Sequence, residues 1–276
     1  MERTNFKNVD KENWTTKVGS AARKDVKKKP GMSKEEMKVV FAKKYDKLKT
    51  YKFKYMNELN DNSHRYLPKY LLHEGLSKPA LILYPVLCHL ADYKVNKWFQ
   101  LSIENLAKAS GLSAPSVIKA ISELQESVLI VEKKIEGKRH YNRYKIHFIR
   151  ENQVVEERGN YITFFSMIIE LGLWAQISNP GKVLYLYLRS IAEYDAQEYA
   201  IIENIGYDEI NETNFRDRKW DLAELNITQL SKLLRINYAD IGKAIRDLEF
   251  FGLCERTGRY CLVYLKPKDY YQYYDE

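Results

Sequence analysis

The sequence predicts an α+β fold, mostly α, in which one small unit of three helices and a β-hairpin occurs twice behind an N-terminal helical extension. Three observations predict it: an internal repeat, helical spacing of apolar residues within each copy, and a pair of alternating strands closing each copy.

The repeat is read by sliding Ser102–Ile130 along the chain by 124 positions, where it meets Asn226–Cys254 without a gap. Leu106, Lys119, Ala120, Ile121, Leu124 and Leu129 fall on Leu230, Lys243, Ala244, Ile245, Leu248 and Leu253. Upstream the offset is 101, with Ser77, Pro79, Leu83, Tyr84 and Leu87 on Ser178, Pro180, Leu184, Tyr185 and Leu188. The matching positions are mostly those a helix buries, so they describe a shared fold. The offsets differ by 23 residues, which places an insertion in the second copy, within Glu193–Asp221. That insertion is acidic, with nine Asp/Glu against three Lys/Arg.

Each element follows in order. Residues 1–32 are polar and lysine-rich, with Lys27-Lys28-Lys29, and read as a flexible basic arm. Ser33-x-x-Glu36 has capping-box spacing and opens an amphipathic basic helix over 33–65, its stripe running through Met37, Val40, Phe41, Tyr45 and Leu48. The first unit covers 66–150. Its first helix follows a Ser-x-Pro turn and carries Leu83, Leu87 and Leu90 at helical spacing. A short strand is expected at Trp98–Leu101, then a helix capped by Ser102 and ending near Ser110. Gly111 supplies a turn, and Ser113 caps a third helix with Pro115 in its first turn. Strands at Val128–Lys133 and Arg143–Phe148 flank a polar loop. Residues 151–160 read as a linker, 161–267 as the second unit with its insertion at 193–221, and 268–276 as a Tyr-rich tail.

With 45% hydrophobic residues in 276, the chain can build cores for about two domains of roughly 100–200 residues. Cys88, Cys254 and Cys261 are too few and too scattered for a disulfide framework, and no apolar run approaches the roughly 20 residues of a bilayer-spanning helix. The expectation is a cytoplasmic protein without membrane contact. No GxxxxGK[ST] motif is present, and the five histidines make no metal-spaced cluster, so neither a cofactor, a metal nor an enzymatic activity is expected. Cys254 and Cys261 read as a buried reduced pair.

Charge is distributed unevenly. Residues 1–65 carry 18 Lys/Arg against 9 Asp/Glu, residues 66–150 carry 13 against 7, and residues 151–276 carry 14 against 21. A basic first half points to a polyanionic partner, and the acidic second half to something else.

The order helix, strand, helix, turn, helix, hairpin is that of a winged helix-turn-helix, so two such domains are expected in tandem. Two helices that cross closely want a small residue in the first and glycine in the turn, which Ala107 and Gly111 provide. The second copy has Ser231 and Arg235 at these places, so its turn must be different or strained. With Val117, Ile121 and Leu124 facing inward on the third helix, Ser113, Ser116, Lys119 and Ser122 are left to meet a major groove. The first hairpin adds Lys133, Lys134, Lys138, Arg139, Asn142 and Arg143, cations suited to straddling phosphates. The second hairpin turns tightly at Thr257-Gly258-Arg259 and offers only Arg256 and Arg259, while Asn237, Tyr238, Lys243 and Arg246 of that copy are further candidates for DNA contact.

Tyr66-Leu-Pro, the Gly75-Leu-Ser turn, Leu106-Ala-Lys-Ala-Ser-Gly-Leu-Ser and Ala120-Ile-Ser-Glu-Leu resemble the winged helices of phage and plasmid replication initiators and replisome organisers. The resemblance covers 66–150 well and 161–265 loosely. It implies double-stranded DNA as partner, origin binding by the first domain, and a second domain that dimerises or meets a replication protein. The same motifs occur in bacterial transcription regulators, and a winged helix that mediates protein contacts is a third reading.

Overall fold

A computed structural model of the protein describes residues 64–73, 75–91, 98–126, 131–136, 141–146, 161–206 and 218–268. The basic arm, the linker and nearly all of the expected helix over 33–65 lie outside these residues. The last two residues of that helix, His64 and Arg65, are strand instead.

The first unit runs β1 (His64–Pro68), a 3₁₀ turn, α1 (Lys78–Leu90), β2 (Phe99–Leu101), α2 (Ile103–Ser110), α3 (Ala114–Glu126), β3 (Val131–Glu136) and β4 (Tyr141–Ile146). The second runs β5 (Tyr161–Phe165), α4 (Met167–Glu170), α5 (Leu173–Gln176), α6 (Asn179–Ile191), α7 (Ala196–Glu203), β6 (Trp220–Glu224), α8 (Ile227–Leu234), α9 (Tyr238–Phe250), β7 (Cys254–Thr257) and β8 (Tyr260–Tyr264). The fold is mixed α/β. Helices α6, α8 and α9 begin and end at offsets of 101, 124 and 124 from α1, α2 and α3. Each unit closes with a three-stranded antiparallel sheet in the orders β2-β4-β3 and β6-β8-β7.

Local chemistry sets the helix starts. Ser77 and Ser178 precede Pro at the first turns of α1 and α6, and their hydroxyls accept from Ala80 N and Gly181 N. Ser102, Asn226 and Asn237 cap α2, α8 and α9 in the same way. The hairpin strands, expected at Val128–Lys133 and Arg143–Phe148, are described as Val131–Glu136 and Tyr141–Ile146, so each runs further toward the loop than expected, while residues 128–130 and 147–148 lie outside the described residues. The alternation there has no two-residue turn signal to fix its ends. In the second hairpin Gly258, at φ 59°, makes the tight turn with Arg259.

The two units share one apolar core. Helices α1 and α6 pack together, and the buried cluster runs from Leu67 through Leu87 and Val117 to Trp174, Leu184 and Ile245. Phe164, Trp174 and Tyr185 stack edge-to-face with centroids 5.1–6.4 Å apart. Trp174 Nε1 donates to Ile82 O, 3.0 Å away in the other unit. A ribbon ties the units further: β1 pairs antiparallel with β5, His64 opposite Phe165 and Pro68 opposite Tyr161. Arg65 of that ribbon is buried because its guanidinium has partners there: Nε donates to Cys88 O at the end of α1, where a cation meets helix carbonyls favourably.

The first helix of each unit also reaches an interhelical turn of the other, α8–α9 for α1 and α2–α3 for α6. Lys78 Nζ, at the start of α1, donates to Arg235 O, 3.1 Å away. Lys182, near the start of α6 and 1% exposed, lies against Gly111 and donates to Asn179 Oδ1. The two units thus pack against each other reciprocally.

The acidic insertion is partly structural. Its last two residues, Trp220 and Asp221, form the start of β6 and are buried. Tyr199 of α7 stacks on Trp220 with centroids 4.7 Å apart, and Trp220 Nε1 donates to Glu203 Oε1 at 2.7 Å. Asp221 joins Arg189 at 3.0 Å and Arg218 at 2.5 Å. Lys268, assigned by sequence to the tail, is tied in by its N–H to Gly252 O at 2.7 Å and by an ion pair with Glu255. Cys254 and Cys261 are buried free thiols on one face of the β7–β8 ribbon, and their mutual hydrogen bond and burial push the Cys254 thiol well above the usual range.

Candidate nucleic-acid interface

The turn between α2 and α3 is built around Gly111, left-handed at φ 74°, whose N–H donates to Ala107 O at 2.9 Å. Ser110 fastens it: its hydroxyl donates to Leu106 O at 2.6 Å and accepts from Leu112 N at 3.2 Å. Gly111 has a second reason to lack a side chain. A Cβ there would stand 2.3 Å from Ala175 O in α5 of the second unit. The glycine therefore serves the turn and the seam between the units at once.

In the second unit the same turn is strained. Arg235 closes α8 at φ 49°, a region L-residues other than glycine enter at a cost of about 1–2 kcal/mol. Ser231 compensates locally, its hydroxyl donating to Ile236 O at 2.7 Å. The substitution of Ser for Ala and Arg for Gly therefore leaves the turn in place under strain.

Helix α3 buries Val117, Ile121 and Leu124 and packs on α1. Its rotation about its own axis is held by Glu123, whose carboxylate accepts from both the N–H and the hydroxyl of Ser77, each 2.5 Å away. Asp247 of α9 repeats the contact, accepting from Ser178 N at 2.6 Å. Burial there outweighs these hydrogen bonds and raises the Asp247 carboxyl above its ordinary range.

With α3 held so, Ser113, Lys119 and Ser122 are exposed on its outer side. Ser116 is half-buried, hydrogen-bonded to Ser113 through the hydroxyls at 2.8 Å and through its N–H at 3.4 Å. The structure thus brings together the four residues expected on this face. It adds one that sequence reading passed over: Ile118, 49% exposed beside Lys119. Its signal was available, because the inward positions 117, 121 and 124 leave 118 outward.

Helix α3 packs against β3, which carries Lys133 and Lys134 opposite Tyr144 and Arg143 of β4. Arg143 is exposed and Asn142 half-buried on β4, the middle strand of the sheet. Lys138 and Arg139, at the expected hairpin tip, lie outside the described residues.

In the second unit Lys243, Arg246 and Arg259 are exposed, but two of them are engaged. Lys243 Nζ stands 2.9 Å from Asp240 Oδ1, and this partner, together with Asn237, holds the Asp240 carboxyl below its ordinary range. Arg259 lies over the Tyr260 ring at 5.0 Å and donates to its hydroxyl at 2.8 Å.

No helix among the described residues is long and apolar enough to cross a membrane. No curated protein sequence matches the chain. Among solved structures, that of a Pi initiator protein in complex with iteron DNA is similar at 14% identity and a TM-score of 0.41, covering 75% of this chain and 99% of that one. Residues 74–130, from just ahead of α1 to the end of α3 and beyond, match the family model described as a helix-turn-helix domain.

Proposed function

We propose that the chain binds double-stranded DNA through two winged helix-turn-helix units in tandem, with the first as principal reader, and that it initiates replication of a plasmid, phage or other mobile element. The observation that carries DNA binding is the outer side of α3: within a helix-turn-helix domain, it offers an exposed lysine among short side chains that permit close approach to a groove. The repeated element order and the repeated sheet order support the tandem reading. The basic balance of residues 1–150 supplies the long-range attraction that phosphates require.

The initiator role rests on the motifs of the first unit that resemble replication initiators and replisome organisers. Engagement of Lys243 and Arg259 within the second unit supports a secondary part for it in DNA contact, and its acidic balance supports a second copy or a replication protein as its partner. Mapping DNA bound by the full chain on its native replicon and host genome tests the role. Repeated sites at an origin support initiation. Promoter sites make the protein a transcription regulator, and the absence of bound sites makes it a protein-contact module.

A further inference from the structure

We infer that Ile118 determines specificity by packing against the C5 methyl groups of thymine in the major groove. This rests on the proposal that α3 enters that groove, and it adds the chemistry that α3 reads there.

Ile118 lies on the outer side of α3, with Ala114 and Pro115 one turn before it and Ser122 one turn after, all exposed. None of these neighbours is long enough to cover it. The isoleucine therefore stands out from a face otherwise made of short side chains and Lys119. Inward-facing Val117 and Ile121, by contrast, are 0% and 1% exposed, so the core takes the neighbours of Ile118 and leaves Ile118 itself in water.

A helix of this kind reads bases mainly from its N-terminal turns. Residues 113–122 contain no Arg, Asn or Gln, and Lys119 is the one side chain among them of a type that hydrogen-bonds guanine edges. Besides that lysine they present to base edges hydroxyls and one branched apolar group. The apolar feature on a major-groove edge is the thymine methyl, which distinguishes A·T and T·A from the G·C pairs and from each other. Lys119 beside it supplies the phosphate attraction that would hold the helix at that depth.

The repeat gives an internal comparison. The residue of α9 equivalent to Ile118 is Gly242, and a Cβ added there would meet only the tip of Arg246, 3.9 Å away. The space for a side chain exists in the second unit and is unused. The apolar group is thus a property of the first unit's surface, which the shared fold does not demand.

The test uses the full chain and a duplex site selected from a random library. Each thymine in that site is replaced in turn by deoxyuridine, which lacks only the methyl, and affinity is measured at one fixed salt concentration. At one or two adjacent positions the unmodified chain should lose roughly fourfold in affinity, the effect of about one buried methyl. Ile118→Ala should bind less tightly and no longer distinguish thymine from uracil at those positions, while Ile118→Val should keep most of the distinction. Tight, sequence-selective binding that is indifferent to uracil throughout overturns this assignment and leaves the DNA-binding reading intact. Full discrimination retained by Ile118→Ala overturns it as well. A chain that enriches no duplex overturns the DNA-binding reading itself and this inference with it.

Discussion

Asp240 holds Lys243 one helical turn ahead of it on α9, Oδ1 to Nζ 2.9 Å, whereas the equivalent pair on α3 is Ser116 and Lys119. The lysines stand at equivalent points of two helices that start and stop 124 positions apart, and the carboxylate is a difference within one turn of them. A lysine already paired on the surface gives up that partner before it takes a phosphate, and the carboxylate itself repels the backbone. Lys119→Glu should therefore cost about 1–3 kcal/mol of specific DNA affinity, the scale of a lost contact plus an added repulsion. Lys243→Glu should cost less, and Asp240→Ser should tighten binding. Affinities of the three variants at one salt concentration, with circular dichroism as a folding control, decide it. If Lys243→Glu is the more damaging, the second unit is the principal reader.

The first hairpin should contribute chiefly through phosphates. Arg143 is exposed on β4, in register with Lys134 on β3. Each phosphate contact adds roughly 0.9 to the slope of log affinity against log salt. Replacing Lys138, Arg139 and Arg143 together with alanine should weaken binding to all sequences alike and flatten that slope. Titrations across a salt series check this, and an unchanged slope removes the hairpin from the interface.

Much of this architecture was legible in the residues. Offsets of 101 and 124, read from apolar identities, are the offsets at which the paired helices start and stop, because the positions a helix buries are the ones a shared fold keeps. The cap at Ser102 was legible too, and the Ser-x-Pro turn at Ser77 marked the start of α1, since that chemistry is local. What sequence reading missed is non-local. The β1–β5 ribbon joins residues about a hundred positions apart, and the short run His64–Pro68 has no periodicity to mark it. Gly111 was read as a turn residue, but its closeness to Ala175 depends on how the units dock. In the acidic segment, charge drew attention away from Tyr199 and Trp220, the aromatic pair that fixes its ends to the second sheet.

The two turns make opposite predictions for glycine. Gly111→Ala places a Cβ in a left-handed residue and within 2.3 Å of a backbone oxygen that cannot easily move. It should destabilise the chain by about 2–4 kcal/mol, the strain and the overpacking acting together. Arg235→Gly relieves the same backbone conformation on an exposed residue whose carbonyl still accepts from Lys78. It should stabilise by about 1 kcal/mol. Urea unfolding of both variants tests the pair. A loss for Gly111→Ala of only about 1 kcal/mol, the backbone strain alone, would mean that the seam does not constrain this turn in solution.

Deleting the acidic segment Glu193–Asp221 whole would remove part of a sheet, so the sharper probe of its structural share is Asp221 alone. Its side chain is 4% exposed and lies between two guanidiniums, Arg189 at 3.0 Å and Arg218 at 2.5 Å. Arg189 is equally buried, while Arg218 is 19% exposed and can turn toward water. Removing the carboxylate therefore strands one buried cation, and breaking a buried pair in this way costs about 3–5 kcal/mol because the remaining charge is left without its counter-ion. Asp221→Ala should lower the unfolding free energy obtained from urea titration by that amount, whereas Glu224→Ala, three residues along the same strand and exposed, should stay within about 0.5 kcal/mol. Replacing both partners with apolar residues, Arg189→Met with Asp221→Leu, should recover much of the loss, since it removes the desolvated charge along with its partner. Stability of Asp221→Ala equal to the parent chain would show that Arg189 reaches water when the carboxylate is gone, and that β6 does not depend on this pair.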